Sequence, residues 1–156
     1  MIAENIMVTD LVTVHEDDLV AGVFDKMRNA KLRMLPVLDG NQHIVGVIST
    51  FCVMEHIVPE YVLSGDLKQI SYAPDIGILR RQYDQIAGKK ISEIMNKEPL
   101  IVHDSESLLS VAASLSSYGR HEYAMVAGND NIFLGVISAG DILDMLKNNT
   151  QELANA

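Results

Sequence analysis

The stretch GVISAGD, Gly135–Asp141, places a serine three residues before an aspartate. This spacing is typical of a helix capping box, in which the serine caps the helix and the acid accepts a hydrogen bond from the serine N–H. The Asp141 carboxylate would also face the positive end of the helix dipole. A nearly identical stretch, GVISTFC at Gly46–Cys52, has a cysteine in the place of the acid. A thiol is a weak hydrogen-bond partner, so the two copies differ in chemistry.

The other residues that could do chemistry form no recognised catalytic or metal-binding spacing. The histidines are His15, His43, His56, His103 and His121. They form neither an HExxH motif nor an i, i+4 pair, so we expect no metal site. The chain has no GxSxG motif and no nucleophile visibly linked to a base and an acid, so we expect no enzyme. The single cysteine, Cys52, has no partner for a disulfide or CxxC motif and is expected to be a small buried hydrophobe.

The composition predicts a globular protein with one core. The chain has 156 residues, of which 48% are hydrophobic and 21% charged, and no apolar run is long enough to span a membrane. The N-terminus lacks the features of a secretory signal, so we expect a cytoplasmic protein. The net charge of −9 argues against binding to nucleic acid, since Lys and Arg supply most of that affinity.

An internal repeat organises the chain. The stretches NIMVTDLVTVH and EIMNKEPLIVH align at an offset of 88 residues, and from Leu19 onward the offset is 89, as in Val37 with Val126. One copy is too small to bury a stable core by itself. We therefore expect the two copies to pack together as one pseudo-symmetric module.

The apolar pattern of each copy predicts the element order β-α-β-β-α, and this order predicts the fold class α/β (α+β). The predicted first strands are Leu11–Val14 and Leu100–Val102. The first helices follow from apolar spacing, as in Leu19, Val23, Met27 and Ala30 of the first copy and Leu108, Ala112, Leu115 and Gly119 of the second. The hairpins turn at residues 39–41 and 128–130, and the closing helices span 51–57 and 140–147.

The connection between the copies is longer than a tandem pair needs, and long connections are usually functional or partly helical. The spacing of Ile76, Leu79, Tyr83 and Ile86 predicts a helix from about Asp75 to Ala87, ended by Gly88. Its function is open among three alternatives: covering the edge of the module, contacting a second subunit, or acting as a lid. In the lid alternative, Arg80 and Arg81 meet a ligand phosphate.

The order, spacing and duplication resemble the CBS domain, and the pair resembles a stand-alone tandem CBS, or Bateman, module. The most specific stretches are Leu35-Pro36-Val37-Leu38-Asp39-Gly40 and the two GVIS phrases. The resemblance implies CBS repeat 1 at residues 1–58, a partly helical linker at 59–88, CBS repeat 2 at 89–147 and a C-terminal tail at 148–156.

In that family such pairs are regulatory, commonly dimerise, and in many cases bind an adenosine-containing ligand between the halves. The resemblance therefore implies a homodimer that senses AMP, ADP, ATP or S-adenosylmethionine, with no required cofactor and with an unidentified protein target. The alternative is a ligand-free module for dimerisation and protein docking.

The resemblance also implies the residues of the site. They are Thr13, Val14, Asp17, Met34, Leu35, Pro36, Arg120, Tyr123, Ile137, Ser138 and Asp141. Asp141 would accept hydrogen bonds from both ribose hydroxyls, because a vicinal diol offers two donors and a carboxylate offers acceptors. The first copy lacks this carboxylate and carries the bulky Phe51 beside it, so we expect one working site, organised around Asp141.

The other implied roles each have a structural alternative. Met34, Leu35 and Pro36 form either an apolar wall for adenine or part of the core. Tyr123 lies near phosphate or base, or is a half-buried strand aromatic. Arg120 is either a phosphate partner or a solvated helix-end arginine. Asp17 stands where the family often has a hydroxyl that contacts phosphate, a departure that argues against a multiply charged phosphate and leaves open a ligand with little or no negative charge at that end, such as adenosine or S-adenosylmethionine.

Overall fold

The computed structural model describes residues 1–63, 76–119 and 123–148. In the first copy, the elements are β1 (Val14–His15), α1 (Val20–Ala30), β2 (Met34–Leu38), β3 (Ile44–Ser49) and α2 (Thr50–Ile57). The short α3 (Glu60–Leu63) and then α4 (Ile76–Ala87) follow. In the second copy, they are β4 (Ile101–His103), α5 (Leu108–Tyr118), β5 (Ala124–Ala127), β6 (Phe133–Ile137) and α6 (Ala139–Asn148). Both copies have the predicted order β-α-β-β-α, so the predicted α+β fold class is confirmed.

Each copy builds a three-stranded sheet. The orders are β1-β2-β3 and β4-β5-β6. In the second sheet β4 pairs with β5 in parallel and β5 pairs with β6 antiparallel, so the sheet is mixed. The parallel pair needs a crossover, and α5 supplies it.

The chain divides into two compact units whose boundaries differ from those of the repeats. Unit 1 comprises Met1–Thr13, Leu38–Val45 and Glu98–Ala156, and unit 2 comprises Val14–Val37 and Gly46–Lys97. The start of the chain therefore belongs with the second copy, and the start of the second copy belongs with the first. Below, each unit is described by itself.

Unit 1 has an apolar core to which all the elements of the second copy contribute. The buried members are Ala3, Val102, Val111, Ala124, Val126, Ile137 and Ile142. Ala3 belongs to the N-terminal segment, which bonds to the second copy through the Ala3 N–H and the Glu106 carbonyl at 2.8 Å. The tip of the first hairpin also joins this unit, because the Phe133 N–H donates to the Gln42 carbonyl at 3.0 Å.

Unit 2 contains the linker helix. The prediction of a helix from about Asp75 to Ala87 is confirmed by α4, while Asp75 itself lies outside the described residues. Helix α4 packs against α2 and α1. Its Ile86 is buried, and the ring of Tyr83 meets Phe24 of α1 edge to face, with ring centroids 6.2 Å apart. The role of this helix stays open among the three alternatives.

The first strand is shorter and later than predicted. The prediction was Leu11–Val14, and β1 spans only Val14–His15. The residues before Val14 belong to unit 1, whereas β1 belongs to unit 2. In helix α1 the buried side chains are Val20, Val23 and Met27. Leu19, which the apolar spacing placed with this helix, is its exposed N-cap residue.

A close backbone crossing explains the glycine of the repeated GVIS phrase. In unit 1 the Val8 N–H donates to the Val136 carbonyl at 2.8 Å, and the Val136 N–H donates to Val8 at 3.0 Å. A Cβ added to Gly135 would lie 2.6 Å from the Val8 carbonyl oxygen. In unit 2, Asn96 pairs with Val47 in the same way, and a Cβ on Gly46 would lie 2.7 Å from the Asn96 carbonyl oxygen. Only glycine leaves room for these crossings.

Candidate functional site

Asp141 and Ser138 form a reciprocal cap at the start of α6. The Asp141 N–H donates to Ser138 Oγ at 3.1 Å, and Asp141 Oδ2 accepts from the Ser138 N–H at 2.8 Å and from Ser138 Oγ at 2.9 Å. The capping box that the three-residue spacing predicts is therefore present. It fixes the orientation of the half-buried Asp141 side chain.

The second carboxylate oxygen of Asp141 is available to a ligand. Among the hydrogen bonds of the described residues, none reaches Oδ1 of Asp141. The two residues between Ser138 and Asp141, Ala139 and Gly140, are exposed and small. The residues that precede Asp141 in the helix therefore carry little side-chain bulk.

The equivalent corner of the first copy, at the start of α2, has no carboxylate. There the Cys52 N–H donates to Ser49 Oγ at 3.0 Å, and Ser49 Oγ donates to Cys52 Sγ at 3.2 Å. Cys52 is buried, and Phe51 is 68% exposed at the position of Gly140. This corner keeps the helix cap but has no anionic acceptor for a diol.

Four further residues of the predicted site belong to unit 1. Thr13 is half-buried at the end of the N-terminal segment, and Tyr123 is half-buried just before β5. Ile137 is a fully buried core residue, so its side chain is not exposed to a ligand. Arg120 lies outside the described residues.

The other predicted residues belong to unit 2. Val14, Leu35 and Pro36 are buried, and Met34 is half-buried. Burial of Leu35 and Pro36 favours the core-packing alternative for their side chains. The role of this group in ligand binding stays a prediction.

Asp17 forms an ion pair that the sequence did not predict. Lys90 Nζ lies 3.1 Å from Asp17 Oδ1, and each side chain is 57% exposed. His15 Nδ1 lies 3.7 Å from the other carboxylate oxygen. A lysine therefore stands beside the acid that replaces the expected hydroxyl. No local spacing pointed to Lys90, because the two residues are far apart in the sequence.

Unit 2 also has an open surface pocket of about 270 Å³. It is lined by Val14, Asp18, Leu19, Gly22, Val23 and Lys26. Asp18 Oδ2 is occupied by the His15 N–H at 2.9 Å, so this side chain caps the turn before α1.

The histidines of the described residues serve local structure. His43 Nδ1 lies 3.0 Å from Asp39 Oδ2 at the turn of the first hairpin. The backbone N–H of His43, which donates to Asp39, holds the pKa of that carboxyl below its ordinary value. Within residues 1–63, 76–119 and 123–148, no group of three or more His, Cys, Asp or Glu side chains is arranged to hold a metal. No helix in these ranges is long and apolar enough to cross a bilayer.

Comparison with known proteins gives consistent matches in sequence and in fold. A family model described as "CBS domain" matches residues 3–59 and 91–148. The chain is 29% identical over 138 residues to "SNF1-related protein kinase regulatory subunit gamma-1-like" of Arabidopsis thaliana. This match covers 86% of the chain and 28% of that relative, so the chain spans less than a third of its length.

Two solved structures illustrate the shared fold. CBSX2 of Arabidopsis thaliana, solved in complex with AMP, has a TM-score of 0.72 at 20% identity, and the match covers 96% of this chain and 98% of that one. The CBS domain pair of protein MJ0100, solved with 5′-methylthioadenosine and S-adenosyl-L-methionine, has a TM-score of 0.66 at 17% identity over 96% and 98% of the two chains. At these identities the likeness shows that the fold is the same.

Proposed function

The chain belongs to the CBS domain family, and from this membership and the geometry at Asp141 we propose that it is a regulatory module that senses an adenosine-containing ligand. The candidate ligands are AMP, ADP, ATP, S-adenosylmethionine and methylthioadenosine. The observation that carries the proposal is the Asp141 carboxylate, held by Ser138 through Oδ2 with Oδ1 open to a ligand.

The chemistry of the carboxylate suits a ribose. The two hydroxyls of a ribose are neighbouring donors, and Oδ1 of Asp141 accepts from one of them while Oδ2 keeps lone-pair capacity for the other. The Ser138 cap fixes the carboxylate before the ligand arrives, which lowers the entropy lost on binding. Hydrogen bonds to a charged acceptor are the stronger kind.

The ligands of two proteins with this fold support the same class. CBSX2 was solved with AMP, and MJ0100 was solved with methylthioadenosine and S-adenosylmethionine. All three molecules contain adenosine with both ribose hydroxyls free. The shared part of these ligands is the part that Asp141 is suited to recognise.

The proposed role is regulation, without catalysis and without a required cofactor. A bound ligand regulates only if it binds two conformations of the module with different affinity. We propose that the ligand shifts this equilibrium and that an unidentified partner protein reads the result. The kinase-subunit relative, of which the chain spans about a quarter, supports a regulatory role.

The experiment is calorimetric titration of these five ligands into the wild-type protein, Asp141→Asn and Asp144→Asn. Asparagine at 141 can still accept from the Ser138 N–H, but its amide group donates and cannot accept a second hydroxyl. Losing a charge-assisted hydrogen bond of about 1.5–3 kcal/mol predicts affinity lower by about ten- to a hundredfold. Asp144 is exposed on the same helix, so its variant removes the same charge without touching the cap. An equal loss of ligand affinity in the two variants would contradict the specific role of Asp141.

A second candidate, a ligand-free module for dimerisation and protein docking, is supported by exposed apolar side chains. They occupy the closing helices: Phe51 and Met54 on α2, Leu143 and Leu146 on α6. Such residues are typical of surfaces that bind another protein. Light scattering tests this candidate, since a double change Met54→Glu and Leu143→Glu should convert a dimer to a monomer. If light scattering shows that the wild-type protein is a monomer, the dimerisation candidate is wrong.

A further inference from the structure

We propose that the Asp141 site selects adenosine compounds without net negative charge, such as methylthioadenosine and S-adenosylmethionine, over ADP and ATP. This inference rests on the proposed function, because it specifies the ligand class of the same site. Three observations carry it: the division of charge between the units, the electrostatics of the α6 N-terminus, and the basic residues available in unit 1.

The net charge of the chain is concentrated in one unit. Unit 1 contains eleven acidic and two basic residues, whereas unit 2 contains ten of each. The net charge of −9 therefore belongs to the unit that carries Asp141. A ligand that reaches this unit meets a negative field, which repels phosphates and attracts cations.

The start of α6 does not offset this field. A helix N-terminus carries about +0.5 elementary charge and commonly binds phosphate. Here the Asp141 carboxylate contributes a full negative charge at the same place, and Ser138 Oγ accepts from the Asp141 N–H. The corner is therefore net negative, and one of the N–H groups that would bind phosphate is already occupied.

Unit 1 also has few cations to neutralise a phosphate, and Lys90, the lysine beside the predicted site residue Asp17, belongs to unit 2 and is paired with that carboxylate at 3.1 Å. Its two basic residues are Lys147 and Arg120, and Arg120 lies outside the described residues. Lys147 is in the last turn of α6, about 9 Å along the helix axis from Asp141. No ion pair joins Asp141 to a lysine, arginine or histidine within the part of the chain that the structure describes. Asp144, exposed three residues further on, adds a negative charge.

The test compares adenosine, methylthioadenosine, S-adenosylmethionine, AMP and ATP by titration calorimetry on the full chain, at low and at physiological ionic strength. Screened repulsion predicts that ATP binds about tenfold more weakly than methylthioadenosine at low salt. Added salt should strengthen ATP binding and weaken S-adenosylmethionine binding, since screening weakens repulsion and attraction alike. Methylthioadenosine, being uncharged, should change little.

A charge reversal at Asp144 provides the matched variant. Asp144→Lys leaves the Asp141 cap intact, and it should tighten ATP binding and leave methylthioadenosine binding unchanged. ATP affinity equal to or above that of methylthioadenosine in the wild-type protein, or ATP binding that weakens with salt, would overturn the inference and leave the proposed function standing. If none of the probes binds, both this inference and the proposed function are wrong.

Discussion

Replacing Gly135 with alanine should destabilise the protein strongly, because the position has no room for a methyl group. The new Cβ would lie 2.6 Å from the Val8 carbonyl oxygen and 3.3 Å from Met7 Cγ. The first of these atoms is backbone, so relief requires the N-terminal segment to move away from β6. That movement breaks the two hydrogen bonds between Val8 and Val136, which measure 2.8 and 3.0 Å.

The magnitude follows from these two losses. Two backbone hydrogen bonds contribute about 1 kcal/mol each, and overpacking costs about 1–3 kcal/mol. The free energy of unfolding should therefore fall by about 3–5 kcal/mol, a large part of the 5–15 kcal/mol typical of a domain. Urea unfolding followed by circular dichroism measures it as a lower midpoint.

Gly22 provides the matched control for this change. It lies in α1 with nothing within 4 Å of an added Cβ, so Gly22→Ala should raise stability by about 0.5–1 kcal/mol through helix propensity alone. The same chemical change is thus expected to act in opposite directions at the two sites. A Gly135→Ala protein with the wild-type urea midpoint would refute the reasoning.

Two further predictions concern the hairpin turn and the linker helix. The His43 N–H is the largest cause that lowers the pKa of Asp39. The ionised Asp39 carboxylate therefore stabilises the fold above its ordinary pKa of 3.8, and this stabilisation is lost as pH falls below that value. Asp39→Asn should thus reduce stability at neutral pH, with a difference from wild type that shrinks in acid; a difference that is constant with pH would contradict this. Phe24→Leu removes the edge-to-face contact with Tyr83 and should cost about 0.5–1.5 kcal/mol. Phe51→Leu, at an exposed position, should change stability little. Equal changes in the free energy of unfolding for Phe24→Leu and Phe51→Leu would show that the ring contact is unimportant.

Local patterns predicted the elements well because local interactions determine them. The helical spacing around Tyr83 and Ile86 predicted α4, and the turn at Asp39 predicted the first hairpin, where Asp39 Oδ1 accepts from the Asn41 and His43 N–H groups. The Ser138 and Asp141 cap is similarly local. Each of these features depends on residues close together in the sequence.

Features that depend on long-range pairing were not predictable from the same patterns. The pairing of Val8 with Val136 joins opposite ends of the chain, and with it the start of the chain becomes part of unit 1. The ion pair of Asp17 with Lys90 is of the same kind. The repeated glycine indicated that another segment passes close to the backbone at this position, but it did not indicate which segment that is.

The most direct test of the central claim is the affinity of the tightest-binding adenosine ligand for the wild-type protein and for Asp141→Asn, with Asp144→Asn as control. We expect the Asp141 variant to lose about ten- to a hundredfold in affinity while its urea midpoint stays close to that of wild type, and the control to bind within a few-fold of wild type. Unchanged affinity in a folded Asp141→Asn protein would contradict the assignment of the ribose to Asp141.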